Sequence, residues 1–419
     1  PFSNVTLLFF YFASLLRNPK FIFVDFPPGS PERNLDYFKT RLQRFGDNGA
    51  YIRLPFSGKW QVSQGYNGKY THKDSWKESL DFMAVGPDGK LRKGNENAMG
   101  DFYTYGLNVL SPSYGRVIKV INHIEDNPIG SVDTKNNWGN LVLIEHAPYF
   151  YSQISHLQKN SIVVKEGDII QAGTKIGLAG NSGRSLEPHI HLHFQSTPEV
   201  GSSTIPITFT QYQDESESKI QIKFNSIPKE REIVNNLSPD FNLKNFFLLS
   251  PGETFKIKFE MVGKSIYEDV WKVNLDLMGN RYIEDDRNNR LYFISSLDYF
   301  ACLDYIGKKK TSLFFFFLAA YRIPYVRNQS FFEDQISYKP FSNIFIRFLK
   351  DLIHPFSETV GFQWKSKLKE IDNTIKIESE VIGRSNKPIY EISLDPSKLM
   401  PGEINARDLF GNEWILSKI

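Results

Sequence analysis

An antiparallel all-β fold is what this sequence predicts, and three observations carry the prediction. From residue 51 to about residue 210, short β-forming runs alternate with Gly, Asn, Asp and Pro turns. No long helical period interrupts them. Aromatic residues make up 15% of the chain, with 35 Phe, which favours pleated, half-buried surfaces. The pattern is clearest in GRVIKVI at 115–121, NLVLIEH at 140–146, SIVVKEG at 161–167 and HIHLHF at 189–194.

Taken in order, the elements begin with residues 5–16 (VTLLFFYFASLL), which are apolar and uncharged. A bilayer span needs about 20 residues, so this run is too short by itself. No basic stretch precedes it, so no complete signal peptide is visible. The first residue is Pro1 rather than Met, which suits a fragment or a processed product. Two readings stay open: a buried helix or strand, and the end of a transmembrane helix that would attach the chain to a membrane through or upstream of residues 5–16. Arg17 and Lys20 follow directly and lean weakly towards a cytoplasmic exit.

Ser30-Pro31-Glu32 then reads as a helix start, with a Ser cap and Pro in the first turn. Leu35, Phe38, Leu42 and Phe45 recur at helical spacing, and Gly46 supplies a stop. The β-rich text follows and gives way to a polar loop, DESESK, at 214–219. Strand-like runs resume over 218–300 (KIQIKF, FKIKFEMV, WKVNLDL, RLYFISS), residues 300–355 are mixed, and 357–419 read as strands again. The run LFFFFLAA at 313–320 is expected in a core rather than a membrane. The expected divisions are therefore 1–50 (apolar segment and amphipathic helix), 51–215, 216–355 (β-rich with mixed helix) and 356–419 (β-rich).

Composition narrows the function. At roughly 100–200 residues per domain, 419 residues suit two to four domains. Lys+Arg 50 against Asp+Glu 47 leaves a formal +3, too balanced for nucleic acid or a polybasic membrane surface. One cysteine, Cys302, excludes an internal disulfide framework and a Cys-based zinc knuckle.

Histidine is where the sequence is most informative. Of eight, seven lie from His72 to His193, and three form H-x-H-x-H as His189, His191 and His193. In a regular strand, alternate residues share a face, so all three could address one cleft. A catalytic zinc site takes three protein ligands and keeps one position open. Candidates to complete such a site are His72 with Asp81 upstream, and His146 or His156 between.

Several segments resemble, in the same order, those of the lysostaphin/LytM-type zinc endopeptidases, which cut peptide cross-links of bacterial peptidoglycan. They are QGYNGKYTHKDSWKESLDFMAV with His72 and Asp81, VLSPSYGRVIKV, WGNLVLIEH, SQISHLQKNSIVVKEGDIIQAGTKIGLAGNSGRS and PHIH. The resemblance covers about residues 54–210 and implies a barrel-like antiparallel β domain with one Zn2+. It also implies a peptidoglycan peptide substrate and a location in the bacterial cell envelope, periplasmic or extracytoplasmic.

Carried over position by position, the resemblance makes His72, Asp81 and His191 the metal ligands and His156 and His189 the catalytic pair. A second register, with His191 catalytic and His193 on the metal, stays open. The Pro before His189 and its spacing from GNSG favour the first, which leaves His193 as a residue behind the ligands or an alternative ligand. His146, at a strand end, is expected to be structural or to sit behind the ligands, and His123 to be on the surface. Two departures stand out: eight residues separate His72 from Asp81 where the family often has three, and Ile154 stands where an aromatic is usual. Asp74 is an alternative acid in a polar turn. LDF, with apolar neighbours, suits Asp81 better.

Two other functions compete. A non-catalytic domain of the same type that binds or activates another wall hydrolase would be expected to have lost ligands, and none is missing here. A biotinyl- or lipoyl-type carrier would match IVVKEGDIIQAG, but the attachment lysine is lacking and the histidines go unexplained.

Overall fold

Two strands near the middle of the site region show how the sequence writes the fold. Ile190–Gln195 (IHLHFQ) alternates apolar with polar, and Ser79–Ala84 (SLDFMA) does so over its first four residues, yet every residue of both is buried. Such strands need cover on both faces. Leu80, Phe82, Ile190, Leu192 and Phe194 join one hydrophobic core. The opposite face carries Asp81, His191 and His193. Burying each large apolar side chain contributes on the order of 1.5–3 kcal/mol, so register is strongly fixed here.

The computed structural model describes residues 37–39, 49–94, 98–342, 361–371, 374–383, 385–398 and 400–419. The chain is strand-rich, as its sequence predicts. It divides into two units, one of Pro1–Ser218 with Lys223–Asn236, the other of Lys219–Ile222 with Leu237–Ile419. Of the expected N-terminal helix, residues 37–39 are helical, and Phe38 packs in the first unit's core against Phe150. The rest of that helix and the apolar run at 5–16 lie outside the described residues. Among the described residues no helix is long and apolar enough to cross a membrane.

In the first unit we label β1 (Trp60–Gln64), β2 (Ser79–Ala84), β3 (Gly115–Ile121), β4 (Asn140–Ala147), β5 (Phe150–Leu157) and β6 (Ile190–Gln195). All pair antiparallel, in the order β3-β4-β5-β6-β2-β1. Ile233–Asn235 continues the sheet beyond β1. Asn108–Leu110 and Lys175–Leu178 form a separate two-stranded sheet. Register sets the site: Asp81 of β2 stands opposite His191 of β6, and Ser155 of β5 stands opposite His191 on the other side.

The second unit is one long ladder. From Arg322–Pro324 it passes through Tyr299–Ile306, Arg290–Ser295, Arg281–Asp285, Ser265–Leu275 and Thr254–Met261. It continues through Glu413–Lys418, Glu403–Asp408, Pro388–Asp395, Thr374–Ile382, Phe362–Ile371 and Ser330–Ile336. Ser330–Ile336, before the division expected near 355, pairs along its length with Phe362–Ile371 after it. A short helix, α1 (Phe241–Phe246), starts on an Asp240 side-chain cap. A second, α2 (Ser312–Ala319), starts on a Thr311 cap and is buried at every residue. The phenylalanine run expected in a core is this helix, with ladder strands from both sides of it in sequence packed around it.

Candidate active site

Asp81 is the hub of the polar face. Its Oδ1 lies 2.8 Å from His191 Nδ1 and its Oδ2 lies 3.1 Å from His72 Nε2. The ligand atoms of His72, Asp81 and His191 all fall within 4.8 Å of one another, and all three residues are buried. His156 and His189 stand beside them, with ring centroids 4.7 Å apart and His156 5.8 Å from His191. His189 Nε2 is 3.9 Å from Asp81 Oδ1. Five of the residues singled out from sequence are thus brought to one cleft of about 840 Å³.

Hydrogen bonds to carbonyl oxygens decide which ring nitrogen carries the proton, because a carbonyl only accepts. His72 Nδ1 meets Gly65 O at 2.9 Å, His156 Nδ1 meets Ser182 O at 2.8 Å, and His189 Nδ1 meets Glu187 O at 2.9 Å. Each Nδ1 therefore donates, and a neutral ring offers its Nε2 lone pair to the cleft. His72 Nε2 is buried, with no aligned hydrogen bond. It faces a carboxylate oxygen, so two acceptors point at each other. Such a pair calls for a cation, either a proton or a metal ion. Two imidazoles and one carboxylate around an open side form a donor set that suits zinc.

The same electrostatics shift the ionisations. Burial works against the charged form of Asp81, but the His72, His189 and His191 rings around it hold it well below the usual carboxylate range. Burial lowers His72, while the charge of Asp81 beside it outweighs that and raises the ring overall. His156 is pulled well down, first by burial and then by His189 and His191. Burial brings His193 down to about 3, so its ring is neutral.

Two local irregularities aim side chains that strict alternation would misplace. In β1, Val62 stands opposite Phe82 on the core face, but Gln64 stands opposite Asp81 because Ser63 is an extra residue in the register. The bulge turns Gln64 into the cleft. There its Nε2 donates to Asp81 Oδ2 at 2.8 Å and its Oε1 accepts from Tyr70 N and Thr71 N. In β5, Ile154 stands opposite the core residue Leu192, so alternation would send His156 to the core as well. His156 instead has φ +65°, a left-handed conformation costing a non-glycine residue on the order of 1–3 kcal/mol, and its ring joins the cleft.

The loop 180–185 braces this strained histidine. Ser182 supplies the carbonyl for His156, and its hydroxyl donates to Leu157 O while accepting from Asn140 N. Gly183, at φ +79°, and Gly139, at φ +61°, meet so closely that a Cβ on Gly183 would lie 2.3 Å from Gly139 N.

His193 stands behind His191 and uses both nitrogens: Nδ1 at 2.9 Å from His191 Nε2, and Nε2 at 2.9 Å from Gln195 Oε1. His146 lies outside the cluster, with Nδ1 on Tyr114 O and Nε2 on Ser152 Oγ. His123 is exposed, and Asp74 sits at the start of a short 3-10 turn. Sequence reasoning missed Gln64, Ser182, Gln195 and Trp138, whose ring lies 5.3 Å from His191 and 5.2 Å from His193. GNSG and WGN were already motif segments and could have pointed to Ser182 and Trp138. No sequence signal announces the bulge that delivers Gln64.

Residues 99–202 match Peptidase family M23, a stretch that begins after His72 and Asp81. Over 142 residues the chain is 30% identical to the peptidoglycan DD-endopeptidase ShyA of Vibrio cholerae, covering 34% of this chain and 26% of that protein. Over 144 residues it is 38% identical to ShyB of the same organism, covering 34% and 27%. It thus spans about a quarter of the length of these curated relatives. Among solved structures, a zinc-containing peptidase from Vibrio cholerae aligns at 26% identity with a TM-score of 0.25, over 36% of this chain and 38% of that one. The catalytic domain of lysostaphin from Staphylococcus simulans aligns at 18% identity with a TM-score of 0.22, over 36% and 89%.

Proposed function

Because this chain carries a LytM-type domain of peptidase family M23, we propose that it is a zinc-dependent endopeptidase hydrolysing peptide cross-links or bridges of bacterial peptidoglycan. One observation carries the reading: three acceptor groups, His72 Nε2, the Asp81 carboxylate and His191, converge within 4.8 Å in a cleft. His72, Asp81 and His191 would hold the ion. When bound, zinc supplies Lewis acidity towards the scissile carbonyl and its attacking water.

The chain's own groups handle the proton. His156 and His189 present Nε2 lone pairs beside the three ligands, with each Nδ1–H already given to a carbonyl. One of them accepts the water's proton as its oxygen bonds to the carbonyl carbon. The resulting imidazolium returns that proton to the amine nitrogen as the C–N bond breaks. Arg184 lines the same cleft and has no ion-pair partner among the described residues, which suits a substrate rich in carboxylates, as stem peptides are. The reading puts the enzyme in the bacterial envelope, where such a substrate lies.

The test is digestion of purified cross-linked peptidoglycan by the full chain, read by mass spectrometry with and without a chelator. Chelator-sensitive loss of cross-linked species is expected, and the fragment masses identify the bond. Intact cross-links after incubation with folded, zinc-loaded protein, on walls of both direct and glycine-bridged type, would overturn the catalytic reading in favour of a binding or activating role.

A further inference from the structure

Behind the cleft, a line of side chains runs from backbone to ligand without a break. Gln195 Nε2 donates to Thr197 O and Glu199 O, both at 2.7 Å. With both amide hydrogens committed, its orientation is fixed and Oε1 turns to His193 Nε2 at 2.9 Å. Since Oε1 only accepts, His193 carries its proton on Nε2, and its neutral ring leaves a lone pair on Nδ1. That lone pair lies 2.9 Å from His191 Nε2, which must therefore donate. His191 is left with its lone pair on Nδ1, 2.8 Å from Asp81 Oδ1 and aimed into the ligand cluster. His191, His193 and Gln195 are buried at 5%, 1% and 0% exposure, so water does not compete for these bonds.

We propose that His193 is a positioning residue: together with Gln195 it locks His191 in the tautomer whose Nδ1 faces the metal cluster. The inference rests on the proposed zinc site. It gives the third histidine of H-x-H-x-H a task that the ligand count alone leaves without one. The strand makes the chain possible, because residues 191, 193 and 195 share one face of β6. Partners behind a metal-bound histidine set its tautomer and ring orientation, and losing one commonly weakens metal affinity by roughly 10–100-fold.

The experiment measures zinc affinity of the full chain by competition with a fluorescent chelator, for wild type, H193L, H193N and H191A. H193L keeps an apolar filler and removes the acceptor, and zinc affinity is expected to fall by roughly 10–100-fold. H193N restores an acceptor oxygen near the place of Nδ1 and is expected to recover most of that loss, which mere packing would not produce. Wild-type affinity in H193L, or no rescue by H193N, overturns the positioning role. If H191A binds zinc as wild type does, the metal site itself is wrong and both readings fall. Should H193L fail to fold, long-range proton–nitrogen correlation on histidine-labelled wild type decides. A zinc-loaded His191 protonated on Nε2 is expected, and one protonated on Nδ1 overturns the proposal.

Discussion

Asp81 and His191 stand directly opposite each other on antiparallel β2 and β6, with Oδ1 and Nδ1 2.8 Å apart. Neither can move without shifting a strand whose residues are all buried. Sheet register thus sets two of the three proposed ligands, while His72 comes from the loop between β1 and β2. Replacing Asp81 with Ala should weaken zinc binding by more than the roughly 10–100-fold typical of partners behind the ligands, and hydrolysis should vanish with it. Chelator competition followed by peptidoglycan digestion checks both outcomes, and wild-type affinity in the variant would remove Asp81 from the ligand set.

His156 combines a left-handed backbone with a buried ring whose Nε2 lone pair is open to the cleft. Asn tolerates that backbone conformation, so H156N should fold and keep its zinc. Its turnover should fall by roughly 10²–10⁴-fold, the range for loss of a general acid–base group. Single-turnover cleavage of an isolated cross-linked peptide, beside a zinc titration, separates the two effects. Unchanged turnover would show that the ring handles no proton in the rate-limiting step.

Gly183 has no room for a methyl group and sits at φ +79°. G183A should therefore cost at least ~1–3 kcal/mol and displace the loop whose Ser182 carbonyl anchors His156. Thermal unfolding should show a lowered midpoint in the metal-free protein, and turnover should drop as well. A midpoint equal to wild type would mean that the 136–140 and 180–185 loops part easily.

In the second unit, Asp408 closes a hairpin by accepting from Phe410 N and Asn412 N, both at 3.0 Å, and from Lys310 Nζ at 2.8 Å. Burial raises its pKa, but the hydrogen bonds from Lys310, Asn412 and Phe410 outweigh it, so the carboxyl sits below its ordinary value. A depressed folded-state pKa stabilises above the unfolded value of about 3.9 and is lost as pH falls through the folded one. D408A should be less stable than wild type by ~1–3 kcal/mol at pH 7, with the gap narrowing below about pH 4. Urea denaturation at pH 7 and pH 3 tests this, and a gap independent of pH would assign the loss to packing.

The strand-rich character of the chain was legible because alternation and turn residues are local. The cluster of His72, Asp81, His156, His189 and His191 was legible through ordered motifs, and H-x-H-x-H on one strand face is simple period-two geometry. Gln64 was not, because the extra residue Ser63 changes which face it serves, and nothing in WQVSQ announces a bulge. His156 was found by its motif, although alternation alone would have put it in the core. The tautomers needed side-chain contacts made across the sheet and from loops distant in sequence, which no single segment encodes. The expected division near 355 met a ladder in which strands from both sides pair.

The buried helix α2 also constrains how the chain is made. Part of its cover, Arg290–Ser295 and Tyr299–Ile306, is synthesised before it, but Thr374–Ile382, Pro388–Asp395 and Glu403–Asp408 come long after. For roughly several seconds of translation, at about 5–20 residues per second, four consecutive phenylalanines would have no finished shelter. Until those strands emerge, the helix cannot be packed as it is in the finished unit. A truncation that ends between residues 320 and 374 keeps the helix without its later cover and should leave an aggregation-prone product, whatever the state of the histidine cluster upstream.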